Sequence, residues 1–162
     1  FRNRGDCHHM GFVLLLRPND FIADSMATLL TKLGLQPLRA ASLRDLDQLP
    51  LDEVVGAVIS TAPTSVVQLT FIESIVKVRS RARALPLLVT TMVREIPRAA
   101  LALGKELEFA DPTLEVVLPT AVGLQSPLLG TSRGVLMLRK EDVESADETI
   151  LALVSRHFRV RR

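Results

Sequence analysis

The stretch Phe12-Val13-Leu14-Leu15-Leu16-Arg17-Pro18-Asn19-Asp20 decides the reading of this chain. An apolar run of strand length stops at Pro18, and a helical pattern begins at once behind Asn19 and Asp20. A fully apolar strand feeding straight into a helix is how a parallel sheet, covered on both faces, begins. The carboxyl ends of such strands are where ligands sit. Here that strand end carries Arg17 and Pro18, with neither a glycine loop for phosphates nor a cluster of carboxylates for a metal.

Outward from this stretch the same rhythm repeats. Apolar residues at 21, 22, 26, 29, 30 and 33 share one helical face, with Asn19 or Asp20 as N-cap and Gly34 just past the end. Leu35 to Arg39 reads as a short strand that Pro37 assigns to a sheet edge, and Ser42 opens a short capped helix to about Leu49. Val54 to Ile59 is wholly apolar and therefore interior. Thr64 or Ser65 caps a helix predicted to reach Arg83 on apolar positions 67, 71, 72, 75 and 78. Leu85 to Thr91 is another buried strand, and Pro97 opens a helix to about Phe109. A strand over 114–118, a loop from Pro119 to Ser132, a candidate last strand over 135–139 and one closing helix from Glu141 to Phe158 complete the pattern. Strands alternating with helices predict a single α/β domain, a three-layer sandwich around a parallel sheet of five or six strands.

Composition sets the outer limits. The chain has 162 residues, 48% hydrophobic and 23% charged, with a net charge of +2, which is ordinary for one globular domain. With six Phe and neither Trp nor Tyr, it offers few platforms for stacking bases, so nucleic acid is not the expected partner. No apolar run approaches the roughly 18 residues of a membrane span, so no membrane partner is expected either. Cys7 stands alone, which excludes a disulfide framework and a zinc knuckle and suits a cytoplasmic setting. His8-His9-Met10 mark residues 1–10 as a tag or linker. That leaves 11–159 for the folded domain and 160–162 as a tail or a linker to a further domain.

From Val13 through Asn19, Asp20 and Met26 to Gly34, the sequence resembles the opening of a response-regulator receiver domain. Leu35 to Ser42 is similar to that family's second strand and the run-in to its second helix. Val54 to Pro63 is similar to the third strand, which in the family ends at the phosphorylated aspartate, and Leu87 to Thr91 to the fourth, which ends at a hydroxyl residue that senses the phosphoryl group. The resemblance covers about 13–92 and implies a flavodoxin-like, receiver-like sandwich. It also implies that the chemistry has been lost. The family's magnesium-holding acidic pair falls on Arg17 and Pro18, its phospho-acceptor on Ser60, and its hydroxyl on Thr91, or Thr90 with a one-residue slip. The lysine that ends the family's fifth strand is replaced by Pro119 if that strand is 114–118. Placing it at 135–139 would make Lys140 that lysine, but leaves forty-nine residues between Thr91 and Lys140, so the first alignment is preferred. Aspartyl phosphorylation needs a divalent ion held by carboxylates; Arg17 would repel that ion, and Ser60 without a neighbouring base is a poor nucleophile.

The candidate site is therefore a degenerate strand-end pocket of Arg17, Asn19, Asp20, Ser60, Thr61 and Thr91, with no catalytic residue, metal or cofactor expected. Two readings of it stay open: a small anion gripped by Arg17, or Arg17 paired with Asp20 and filling the space of the ion. His157 reads as a charge partner for the end of the last helix. The basic run Lys77, Arg79, Arg81 and Arg83, with the Arg-rich end from Arg156, reads mainly as cations at helix C-termini, with an acidic surface as the alternative. The functional expectation is a non-catalytic signalling module, a pseudo-receiver, that docks a protein partner or dimerises through the face of its C-terminal helices and strands. The alternative is a sensor that binds a small anionic molecule or nucleotide through Arg17.

Overall fold

The computed structural model describes residues 11–16, 20–40, 48, 51–61 and 70–160. Six parallel strands, β1 (Phe12–Leu16), β2 (Gln36–Ala40), β3 (Val54–Ser60), β4 (Leu87–Thr91), β5 (Glu115–Val117) and β6 (Gly134–Arg139), lie in the order β2-β1-β3-β4-β6-β5. The helices are α1 (Asp20–Lys32), α2 (Phe71–Arg81), α3 (Ile96–Ala110), α4 (Ala121–Leu124), α5 (Lys140–Ser145) and α6 (Glu148–His157).

Side-chain alternation along each strand divides the core into two halves. Leu14, Leu16, Ala57, Ile59, Leu87, Val89, Val135 and Met137 face one way and pack with Ile75 and Val78 of α2 and Leu103 and Leu107 of α3. Val13, Leu15, Val58, Leu88, Leu136 and Leu138 face the other way and pack with Met26 and Leu30 of α1, Val143 of α5 and Leu153 and Val154 of α6. Burial on both faces is why β1, β3, β4 and β6 read as unbroken apolar runs. Each fully buried Leu, Ile or Val contributes about 1.5–3 kcal/mol of transfer free energy, so the four central strands dominate the stability of the sheet. Pro37 sits on β2, at the sheet edge, where its missing N–H costs no ladder bond. Gly34 ends the first helix with φ +79, a conformation that suits a residue without a Cβ.

Four sequence expectations need correction. The second long helix starts at Phe71, later than a cap at Thr64 or Ser65 would give. Thr70 is its N-cap, accepting from the Glu73 N–H at 3.1 Å while the Glu73 carboxylate accepts from the Thr70 N–H at 2.9 Å, a reciprocal capping box. The stretch 119–132 is not wholly loop, because Ala121–Leu124 form a helical turn that contacts α6. The closing helix is two helices: Ala146 takes φ +44 and ends α5, and Asp147 then caps α6 by accepting from the Ile150 N–H at 2.9 Å. Last, the strand beside β4 is β6, not the 114–118 segment preferred from the sequence. The chain between β4 and β6 is long because it builds α3, the added edge strand β5 and α4 before returning. The short helix predicted from Ser42 lies, apart from residue 48, outside the described residues.

Candidate functional site at the carboxyl ends of the strands

Three of the sequence-predicted site residues lie where β3 and β4 end, on opposite faces of the sheet. Ser60 and Thr90 are directly paired across the two strands, and both are buried. Alternation turns these two side chains toward the α1 face. Thr61 is half-buried and ties the strand ends together: its N–H donates to the Thr90 carbonyl at 3.0 Å and its hydroxyl to the same oxygen at 3.2 Å. Thr91 is buried on the α2 and α3 side, and its Oγ1 accepts from the Val93 N–H at 3.1 Å, shaping the turn toward α3. The hydroxyl of Thr90 is buried with no hydrogen-bond partner among the described residues. Arg17 and Asn19 lie outside the described residues, and Asp20 is placed only as the first residue of α1.

Among the described residues, Arg139 is a cation of this strand-end row that the sequence reading missed. It pairs in register with Thr91. Its Nε donates to Asp142 Oδ2 and its Nη2 to Asp142 Oδ1, both at 2.9 Å, while Nη1 donates to the Arg94 carbonyl at 2.8 Å. Asp142 Oδ2 also accepts from the Arg139 backbone N–H at 2.9 Å, so one carboxylate both caps α5 and fixes the guanidinium. The hydrogen bonds to Asp142 raise the Arg139 guanidinium above its ordinary range, against the opposing effect of burial. Glu141 adds a second carboxylate 3.6 Å from Nη1 and lies 4.0 Å from Arg94 Nε. Lys140, the residue that follows, is half-buried and lies 3.9 Å from Glu144. The signal for Arg139 was present as Arg-x-x-Asp at the end of an apolar strand, where a capping carboxylate reaches back by one helical turn.

Arg79 and Arg83 of the basic run lie at the opposite end of the sheet. Arg79 donates through Nε to Asp111 at 3.1 Å and through Nη1 to the carbonyls of Ser132, at 3.2 Å, and Arg83. Asp111 also accepts from the Thr113 hydroxyl at 2.7 Å; that bond, with a lesser contribution from Arg79, holds its carboxyl below the usual range. Arg79 is thus a clamp between α2, the end of α3 and the lead into β6. Beside it a groove of about 550 Å³ is lined by Arg79, Arg83, Asp111, Thr113, Glu115 and Arg133. A second, of about 520 Å³, is lined by Val54, Pro86, Ser132, Phe158 and Arg159 among others. Neither includes Ser60, Thr61 or Thr91.

His157 corrects another expectation. It is fully buried rather than a surface charge partner, with Nδ1 accepting from the Gly130 N–H at 3.0 Å and Nε2 lying 2.7 Å from the Leu87 carbonyl. Among the described residues, no group of three or more His, Cys, Asp or Glu side chains is placed to hold a metal ion, and no helix is long and apolar enough to cross a membrane.

The fold has counterparts among solved structures. A response regulator receiver domain protein from Clostridium thermocellum superposes with a TM-score of 0.51 at 12% identity, over 92% of this chain and 95% of that one. The signal receiver domain of a modulated diguanylate cyclase from Desulfovibrio desulfuricans G20 gives 0.50 at 11% identity, over 93% and 95%. The Salmonella typhimurium RcsB response regulator gives 0.50 at 10% identity, over 91% of this chain and 68% of that one. At such identities the likeness is one of fold, and the chain has the receiver-like, flavodoxin-like α/β architecture. Neither a protein-family model nor a curated protein matches the sequence.

Proposed function

We propose that this domain is a receiver-type signalling module that has given up aspartyl phosphorylation and acts by docking a protein partner or a second copy of itself. The observation that carries the reading is Ser60. β3 ends there, in the place the receiver resemblance gives to the phospho-acceptor aspartate, and the side chain is a buried hydroxyl paired with Thr90. A hydroxyl has neither the charge to hold a divalent ion nor, without a base, the nucleophilicity to replace the carboxylate. At the β6 end, which takes the place beside β4, Lys140 falls where the family has its lysine and Arg139 before it is held in a two-point pair with Asp142, so the reading rests on the acid missing at Ser60. The scaffold would then serve as a rigid surface whose state is set by what binds it.

Incubation with Mg²⁺ and labelled acetyl phosphate tests this directly, with Ser60→Ala alongside. The expected result is no incorporation in either protein. Stoichiometric labelling of the parent protein would overturn the reading, and its loss or retention in Ser60→Ala would say whether Ser60 or another residue is the acceptor.

A further inference from the structure

α3 carries an outward face with no counterpart among the described residues. Leu101 is 64% exposed and Phe109 81% exposed. On a helix these share one stripe with Pro97, Arg98, Lys105 and Glu108, all exposed. The opposite side of the same helix buries Ala99, Leu103 and Leu107 against the sheet. Arg98, Lys105 and Glu108 make no ion pair among the described residues.

The charges on this stripe run against the helix that bears them. The first turn of α3 holds Arg98 and no acid, and the last turn holds Glu108 and no base. An isolated helix favours the reverse, acids at its positive N-terminus and bases at its negative C-terminus. A second α3 laid antiparallel across the first supplies what is missing. A two-fold axis beside residue 103 sets Arg98 against Glu108 of the second copy, and the symmetry repeats the pair at the other end. The same axis packs Phe109 on Pro97 and rests Leu101 on the aliphatic stem of Lys105. The stripe is therefore complementary to itself, as an isologous contact requires.

We propose that the domain forms a homodimer through antiparallel packing of α3 on α3, with Leu101 and Phe109 as the apolar contacts and the Arg98–Glu108 pairs fixing the register. This rests on the docking reading above and names its occupant. The strand β5, added outside β6, keeps the other edge of the sheet short, with Pro112 and Pro119 on either side of it. One helix face buries little area, so the dimer belongs to the small, reversible class. The exposed ion pairs select the partner and its orientation, while the apolar contacts supply most of the affinity.

Sedimentation velocity over a dilution series of the full chain reads the outcome. The wild-type chain is expected to show a reversible monomer–dimer equilibrium. Arg98→Glu places like charges against each other at both ends and should raise the Kd by about tenfold or more. The double reversal Arg98→Glu with Glu108→Arg should return it to near the wild-type value. Leu101→Lys, which sets a second ammonium against Lys105 of the other copy, should leave only monomer, while Val122→Asp, at an exposed apolar residue on α4, should change nothing. All these side chains are exposed, and circular dichroism checks that each variant is folded. A wild-type chain that stays monomeric, a dimer that survives Leu101→Lys, or a double reversal that fails to restore it would each overturn the proposal. None of these touches the docking reading, which fails instead on phosphoryl labelling.

Discussion

Both ring nitrogens of His157 are committed to the backbone. Nδ1 accepts from the Gly130 N–H at 3.0 Å, so Nε2 carries the proton and donates to the Leu87 carbonyl at 2.7 Å. The ring thereby fastens the turn around Gly130 and the end of α6 to the start of β4. Burial lowers its pKa to about 4, only partly opposed by the hydrogen bond to Leu87. The sign follows from linkage. Below pH 6.5 the unfolded chain takes up a proton at this histidine that the folded chain refuses until about pH 4. Stability therefore rises with pH across that window and is complete above it. At about 1.4 kcal/mol per pH unit, the loss on acidification is about 3 kcal/mol. Urea unfolding of the wild-type chain and His157→Gln at pH 7 and at pH 4.5 checks this. The wild-type chain should lose clearly more stability between the two conditions than the variant, because other carboxylates contribute equally to both. Equal losses would mean that His157 titrates as an exposed histidine does. No sequence pattern reveals this residue's role, because a histidine near a helix end reads as a dipole partner until the packing around it is known.

Helix and strand positions were largely legible, because they follow from periodicity, and the exceptions share one cause. β1, β3 and β4 sit where their apolar runs predict, and Pro97 marks the first turn of α3. What failed was punctuation. Thr70-x-x-Glu73 is a capping box inside an apolar pattern that continues on either side, and Ala146-Asp147 breaks a helix whose apolar spacing never falters. Periodicity shows which face is buried, whereas caps decide where the hydrogen-bond ladder stops. Two glycines illustrate the same difference between pattern and packing. A Cβ on Gly104, in the middle of α3, would meet nothing within 4 Å, whereas one on Gly56 in β3 would run into the buried ring of Phe158. Gly104→Ala should therefore stabilise the monomer by about 0.5–1 kcal/mol through helix propensity and reduced unfolded-state entropy. Gly56→Ala should destabilise it by about 1–3 kcal/mol through overpacking. Calorimetry at low protein concentration should show the two midpoints moving in opposite directions. A fall in both would mean that the space beside Gly104 is filled in solution.

For the molecule as a whole, sheet order was harder to read than sheet content. Two apolar segments near the C-terminus competed for the place beside β4, and sequence spacing favoured the nearer one. Burial decided otherwise: Gly134–Met137 are buried along both faces, as a central strand demands, whereas Glu115 is exposed and Val116 half-buried, as suits an edge. The site was legible in the same partial way. Ser60 and Thr91 were assigned to the strand ends by the family resemblance, and β3 and β4 do end there, but the Arg139–Asp142 pair depends on β6 taking the place beside β4. That pairing bears on how the whole molecule responds to phosphoryl chemistry. A ligand that binds only the folded state at a hundredfold excess over its Kd stabilises it by about 2.7 kcal/mol. For a domain of this size that raises the midpoint by about 5–10 °C. Mg²⁺ with beryllofluoride, a tetrahedral phosphoryl analogue, should leave the thermal midpoint of this protein unchanged to within about 1 °C. The hydroxyls of Ser60, Thr61 and Thr91 offer no carboxylate for the ion, and the Arg139 guanidinium is already paired with Asp142. A saturable rise, lost in Ser60→Ala, would mean that the strand ends still hold a phosphoryl group and that the scaffold remains a phosphoryl-responsive switch.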